Sequence, residues 1–442
     1  METTTLLKRE ANGNLPAGAV ITRLDTESLR RLCLEAGADD VGFVEVARPS
    51  LASESAEIQN LAPWTKTLVS FCVRMNREPI RTPARSLSNL EFHRTGDRTN
   101  DIAREIVSAL EREGIRALNP SMGFPMEMQR FPGRIWTIAH KVVAEAAGLG
   151  KMGIHRNIIH PKFGNFILLG TVLIDAEVDS PSPALDFNPC LECKLCVAAC
   201  PVGAITPEGE FRFGSCYTHN YREFMGGFTD WVENIADSKD GADYRHRVSD
   251  DESASMWQSL GFGPNYKAAY CLSVCPAGDD VIGPYQSDKP QFLREVVKPL
   301  QNKVEKIFVV PGSDADVHVR KRFPHKTPRA VHAGLRPWSI GGMLTTLDLV
   351  FARNQAQGLS AIYHFKFTGN EVVDATIKIE GPALEISEGF HGKADLEITA
   401  DSETWLGFVR KERNLAWALV RRKIKLWGDP RLLVAFGKCF PS

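Results

Sequence analysis

The stretch "CLECKLCVAACPVGAI", residues 190–205, decides how this chain is read. Cys190, Cys193, Cys196 and Cys200 stand at gaps of two, two and three residues, and Pro201 follows the last of them. Gaps of two let successive thiolates curl around the corners of one iron–sulfur cube. The fourth cysteine, placed before proline, cannot bend back to the same cube and ligates a neighbouring cluster.

The first cube therefore needs a ligand from elsewhere, and Cys275 in "YCLSVCPAG" (270–278) is the candidate. Cys200, Cys216 and Cys271 remain for a second cluster, so seven cysteines stand where two cubes need eight. Three explanations are open: a 3Fe-4S cluster, a 4Fe-4S cluster with a non-cysteine ligand, or one functional cluster with spare thiols. The reading adopted is two clusters, one 4Fe-4S and an atypical second that is 4Fe-4S or 3Fe-4S. His219, three residues after Cys216, is weighed as the eighth ligand against a polar neighbour. Cys33 and Cys72 fall on apolar faces and read as small core residues.

Around these cysteines the composition is ordinary: 442 residues, 43% hydrophobic, 24% charged and 9% aromatic, with a formal net charge of −1. Such a length exceeds what one core fills, and such a charge implies no nucleic-acid partner. The opening "METTTLLKREANGNLPAGAV" has no apolar run of signal-peptide length, and nothing later suggests a membrane span. The expected location is cytoplasmic, where clustered cysteines bind metal rather than pair as disulfides.

The expected architecture is α+β or α/β and multidomain. Asp25 caps a helix whose apolar positions end before Gly37, "VGFVEV" (41–46) and "TLVSFCV" (67–73) read as strands, and Ile102, Ile106 and Leu110 mark a further helix. "FILLGTVLI" (166–174) is a strand after a glycine-rich turn. Between Cys216 and Cys271 lies a polar insertion expected to be a solvated excursion, with Met225, Gly226 and Gly227 in a loop. "KIFVVPGS" (306–313) keeps strand character, and "RKRFPHKTPRAVHAGLRP" (320–337) reads as an interdomain linker. Beyond it, "ATIKIE", "ALEIS" and "ADLEITA" alternate as a half-covered sheet does. "SETWLGFVRKE", "NLAWALVRR" and "RLLVAF" are helical, and Trp405, Trp417 and Trp427 read as core fillers. The expected divisions are 20–180, 181–330 and 331–442.

With "GADDVGFVEVARPSL", "LAPWTKTLVSFCVRMN", "AEAAGLGKMGIHRNIIHPKFGNFILLGTVLIDAEV" and both cysteine blocks in place, residues 25–290 resemble the cobalamin-dependent epoxyqueuosine reductase and reductive dehalogenase group. That resemblance implies a nitroreductase-like α/β domain holding cobalamin, followed by a bacterial ferredoxin-like Fe-S module that feeds it electrons. "KADLEITADSETWLGFV" with "KIKLWGDPRLLVAF" resembles the sterol carrier protein-2 family, which implies an SCP2-like α+β domain with an apolar tunnel for a lipid or sterol.

One departure stands out. The reductases carry a catalytic aspartate just upstream of the helix leading into the glycine turn, whereas "MQRFPGRIWTIAHKVVA" (128–144) holds no acidic residue. His140 is the candidate replacement as general acid, with His155 and His160 as further catalytic candidates. Gly148, Gly150 and Gly153 permit close approach of a cofactor, and Lys151 and Arg156 are candidates for its amide or phosphate groups. The expected function is reduction of a hydrophobic organic substrate by an iron–sulfur oxidoreductase. Its partners are a small apolar substrate or lipid and an electron donor (ferredoxin, flavodoxin or reductase), with a homodimer compatible. The rival is a ferredoxin-type electron-transfer protein whose last domain serves for docking.

Overall fold

The computed structural model describes residues 7–9 and 22–441, except 131–133, 191, 333–335, 411, 414–417 and 419. Its N-terminal unit is built on an antiparallel sheet with the strand order Asp40–Glu45, Thr67–Arg74, Ile167–Ile174, Ala117–Leu118. The register pairs Phe43 with Val69 and Val69 with Val172. Alternate side chains serve two cores: Phe43, Val69 and Phe71 meet Leu29, Ile102 and Ile106 from one pair of helices, while Val44, Leu68 and Leu173 meet Ile58 and Val143 from another. Burial on both faces explains why these strands read as unbroken apolar runs. Asp25 caps its helix by accepting from Ser28 N at 2.9 Å, and Cys33 and Cys72 are fully buried.

The helix containing Ile102 begins earlier than its apolar periodicity announces, spanning Arg85–Arg112. Its first half buries polar side chains instead: Ser88, Asn89, Thr95 and Thr99. Asn89 donates to Tyr266 O at 3.1 Å and accepts from Tyr266 N at 2.9 Å, which ties this helix to the cysteine-bearing region.

Two expectations need correction here. The insertion is helical over Gly226–Ala236, Gly241–Arg247 and Asp250–Phe262, so Gly226 and Gly227 open a helix. Added bulk at Gly227 would meet Arg222 O at 2.5 Å, and the Arg222–Asp230 pair at 2.6 Å is buried beneath. Nor is 320–337 wholly a linker: Asp314–Arg322 is a helix, and Thr327–Ala330 pairs in parallel with Lys306–Val309. Parallel pairing of two short strands leaves little local signature.

The last five strands run Ala383–Glu388, Asp374–Glu380, Ser360–Thr368, Leu396–Asp401, Ile424–Gly428, with a parallel pairing between Ser360–Thr368 and Leu396–Asp401. The helices Ile340–Val350, Ser402–Val409 and Arg431–Cys439 contribute to its core. Phe365 lies 5.2 Å from Trp405 and 5.3 Å from Phe436, ring to ring, so aromatic side chains fill the space where helices meet sheet. Trp405 is the expected core filler, but Trp427 is 53% exposed because it sits on the edge strand. Trp417 and most of "NLAWALVRR" lie outside the described residues. Among the described residues no helix is long and apolar enough to cross a membrane.

Candidate iron–sulfur centre

The cysteine loop is wound tightly enough to force Glu192 and Lys194, on either side of Cys193, into left-handed backbone at φ 53° and 52°. Each such residue costs roughly 1–3 kcal/mol and persists only where the surroundings demand it. A short helix, Leu195–Ala199, then carries Cys196 inward. Opposite it, Ala269 is also left-handed, at φ 54°, and starts the turn Tyr270–Ser273 that presents Cys271.

Folding gathers Cys190, Cys193, Cys196 and Cys275 around one cavity, lined also by His155 and Ile159. Burial pushes the Cys196 thiol up, and the charges of Cys271, Cys275 and Cys193 push it further. Burial likewise raises Cys275 to about 12, with Cys193, Cys190 and Cys271 adding to it. Two of the other three are linked by charge: half-buried Cys216 is raised by desolvation and further by Cys271 and Cys200, and half-buried Cys271, at about 12, by desolvation and by Cys200. Cys271 thus stands between the two groups. Burial and mutual repulsion disfavour the bare thiolates, and a bound metal, which takes the deprotonated form and supplies opposing charge, would offset both.

Among the described residues no three His, Cys, Asp or Glu side chains converge on a point as ligands of a single ion do. In an iron–sulfur cube each thiolate bonds a different iron. Backbone N–H groups already face two sulfurs, Ile154 N at 3.4 Å from Cys190 Sγ and Ala204 N at 3.3 Å from Cys200 Sγ. Two cations complete the surroundings without a carboxylate partner among the described residues. Lys141 Nζ donates only to Arg156 O (2.7 Å) and Asn157 Oδ1 (2.9 Å), and the charges of Cys271 and Cys216 reach it. Arg81 stacks over Phe166 and Phe292, its Nε and Nη2 are buried without hydrogen-bond partners, and the charges of Glu78 and then Cys275 reach it. Half-buried cations with no carboxylate bonded to them would offset part of an anionic cluster's charge, so the donor set fits iron–sulfur clusters.

His219 is placed elsewhere. Its Nδ1 accepts from Phe308 N at 3.2 Å, and the charges reaching it are those of Glu305, Lys267, Lys326 and Lys303, not of a cysteine. The eighth-ligand alternative has no support in this arrangement.

The three candidate catalytic histidines are buried, and their ring nitrogens are engaged. His140 Nδ1 meets Thr171 Oγ1 at 2.8 Å and Nε2 meets Ser121 O at 2.9 Å. His160 Nε2 meets Asp40 Oδ2 at 2.9 Å, while Nδ1 accepts from Lys162 N at 3.1 Å. His155 Nδ1 accepts from Asn157 N at 3.1 Å, and Nε2 lies 3.3 Å from Asn165 Nδ2. Burial, helped by Lys141, lowers His155 to about 4, so the imidazole bordering the cysteine cavity is neutral.

The glycine turn is closed by the chain itself. A methyl group at Gly148 would lie 2.3 Å from Pro183 O, at Gly150 2.5 Å from Ile159 O, and at Gly153 2.8 Å from Ile159 Cδ1. Lys151 pairs with Glu145 at 3.3 Å, and Arg156 is exposed in left-handed backbone at φ 61°. These residues form no open cradle, and they do not fit a corrinoid bound at the turn. A carboxylate does reach the preceding helix, but from a distant segment. Buried Glu54 accepts from Ala139 N at 3.3 Å and from Arg134 Nη1 at 3.1 Å. Sequence reading missed Glu54, Lys141 and Arg81, because nothing local marks a side chain that acts across 80 residues.

Residues 183–206 match the 4Fe-4S binding domain family. Residues 347–441 match the SCP-2 sterol transfer family. The epoxyqueuosine reductase of Leadbetterella byssophila is 34% identical over 118 residues, 24% of this chain and 38% of that protein. The Staphylococcus aureus epoxyqueuosine reductase is 34% identical over 79 residues, 18% of this chain and 20% of that one. This chain thus spans well under half the length of the curated relatives it matches. The solved epoxyqueuosine reductase of Streptococcus thermophilus is 14% identical with a TM-score of 0.36, covering 62% of this chain and 75% of that one. A crystal structure of epoxyqueuosine reductase with a tRNA-Tyr stem loop gives 14%, 0.35, 75% and 84% for the same quantities. The nucleic acid belongs to that protein, and it stands beside the expectation of no nucleic-acid partner here. Reductive dehalogenases also occur among the matches. The chain is therefore similar to epoxyqueuosine reductases, with a 4Fe-4S segment and an SCP-2 domain.

Proposed function

We propose that this chain is an iron–sulfur oxidoreductase passing electrons from a donor protein, of ferredoxin, flavodoxin or reductase type, to an organic substrate. One cluster is held by Cys190, Cys193, Cys196 and Cys275, the second by Cys200, Cys216 and Cys271. The observation that supports this reading is that Cys190, Cys193, Cys196 and Cys275 line one cavity, while Cys216 and Cys271 lie within reach of one another's charge and of that of Cys200. When bound, the clusters supply single-electron storage and transfer. The chain's own part is to shield Cys196, Cys200 and Cys275 from water by burial, offset charge through Lys141 and Arg81, and keep the His155 imidazole neutral.

The SCP-2 match supports an apolar molecule as substrate or passenger of the last domain. Cobalamin, implied by the resemblance, has no cradle at Gly148, Gly150 and Gly153. His140, His155 and His160 would have to release a present hydrogen bond to donate a proton. The test is anaerobic: reduced flavodoxin is mixed with the purified protein, with and without added cobalamin, and the visible spectrum is followed. Bleaching of the cluster absorption in both samples supports the reading. An unreduced protein contradicts it, and reduction only with cobalamin restores the corrinoid to the mechanism.

A further inference from the structure

A cavity of about 360 Å³, open to solvent, lies between the first turn of Arg85–Arg112, the end of Phe213–Asn220, the helix Asp250–Phe262 and the strand Lys306–Val309. It involves none of the glycine-turn residues and none of the seven cysteines. Six of its lining side chains are Lys or Arg and five are Asp or Glu, leaving one positive charge over. Five of the six cations lie within 3.1 Å of a carboxylate.

Arg85 is the sixth. It is 9% exposed, and its Nη1 and Nη2 donate only to Ile80 O, Thr82 O and Ser88 Oγ. The guanidinium stacks over the Tyr270 ring at 5.4 Å, its Nε is buried without a partner, and among the described residues no carboxylate pairs with it. The charges of Glu305 and Cys271 reach it, but Glu305 is already shared by Lys326, Lys303 and Tyr270 and neither is bonded to the guanidinium. A buried guanidinium without a directly bonded anion is costly, and a ligand that bonds it recovers part of that cost.

A second buried donor without a partner is independent of the first. His219 is 1% exposed, and because its Nδ1 accepts from Phe308 N, its ring proton sits on Nε2. That nitrogen is buried and has no partner. Phe308, Tyr266, Trp231 and Met256 give the same cavity an apolar side.

We propose that this cavity binds a small organic carboxylate, whose oxygens accept from His219 Nε2 and Arg85 Nε, whose charge balances Arg85, and whose apolar body packs on Phe308 and Tyr266. One surplus positive charge selects a monoanion over a phosphate dianion. The site goes beyond the electron-transfer reading and does not depend on it.

Calorimetric titration of the full chain, purified anaerobically, tests this with benzoate as probe, benzamide as its neutral isostere and inorganic phosphate as the dianion. Benzoate saturates at one per chain, and the other two bind at least about tenfold more weakly. Arg85→Gln and, as a variant expected to leave the backbone undisturbed, His219→Gln each weaken benzoate at least about tenfold with the cluster absorption unchanged. Absent saturation by benzoate, equal binding of benzamide, preference for phosphate, or a His219→Gln variant that binds as the parent does would each overturn the proposal. An Arg85→Gln variant that alters the clusters and leaves benzoate binding intact would also overturn it, by assigning that charge to the clusters.

Discussion

Gly214 stands directly behind the carbonyl of Leu349: a β-carbon added at Gly214 would lie 1.8 Å from that oxygen. Gly214 is two residues before Cys216 on the helix Phe213–Asn220, and Leu349 is near the end of Ile340–Val350. The SCP-2 domain is therefore seated on the helix that supplies a thiol of the second group. Arg353 reaches Glu210 at 2.9 Å, and Asn354 N reaches Asp314 Oδ1 at 2.8 Å, across the same junction.

Gly214→Ala is expected to destabilise the chain by about 1–3 kcal/mol, because backbone overlap outweighs the roughly 1 kcal/mol of helix propensity gained. Calorimetric melting checks the stability. Iron analysis should show a loss confined to about half the total, reflecting a displaced Cys216.

Cys216→Ala and Cys193→Ala should each lose one cluster and retain the other, since the two groups share no ligand. Low-temperature electron paramagnetic resonance of the reduced variants should give two different residual spectra. Identical spectra would mean that the division into two groups is wrong.

Glu54→Gln removes one partner of a buried ion pair and leaves the Arg134 guanidinium, 23% exposed at its side chain, without its counter-charge. A loss of about 2–4 kcal/mol follows, at the lower end because Arg134 retains some water. Denaturant unfolding measures it, and an unchanged midpoint would show that the pair is inconsequential.

His219 has a folded pKa lowered from 6.5 to about 3, through burial above all. The folded chain refuses a proton that the unfolded chain accepts, so its contribution is present above pH 6.5 and falls progressively as pH drops towards 3. Melting temperature should fall from pH 7 to pH 5 more steeply in the parent than in His219→Gln. Parallel slopes would contradict a neutral buried imidazole.

The cluster cysteines were legible because ligation of a cube dictates fixed short gaps in the chain. Cys216 and Cys271 were found by residue type alone, and their convergence came from the fold. Uniform apolar strands such as Thr67–Arg74 and the capped helix after Asp25 were also legible, since local pattern and burial agree there. The first half of Arg85–Arg112 was not, because its buried face is polar and satisfied by distant partners such as Tyr266. The same holds for Lys141 and Arg81, whose environment is made by segments far along the chain. The glycine turn misled for a related reason: close approach was foreseen, but the approaching atoms are Pro183 O and Ile159 O, not a cofactor.

The most direct test is the iron content of the full chain prepared without oxygen. Two clusters on seven cysteines predict about seven or eight iron atoms per chain, matched by acid-labile sulfide. About four would leave a single cluster, and a colourless, iron-free protein would contradict the account altogether.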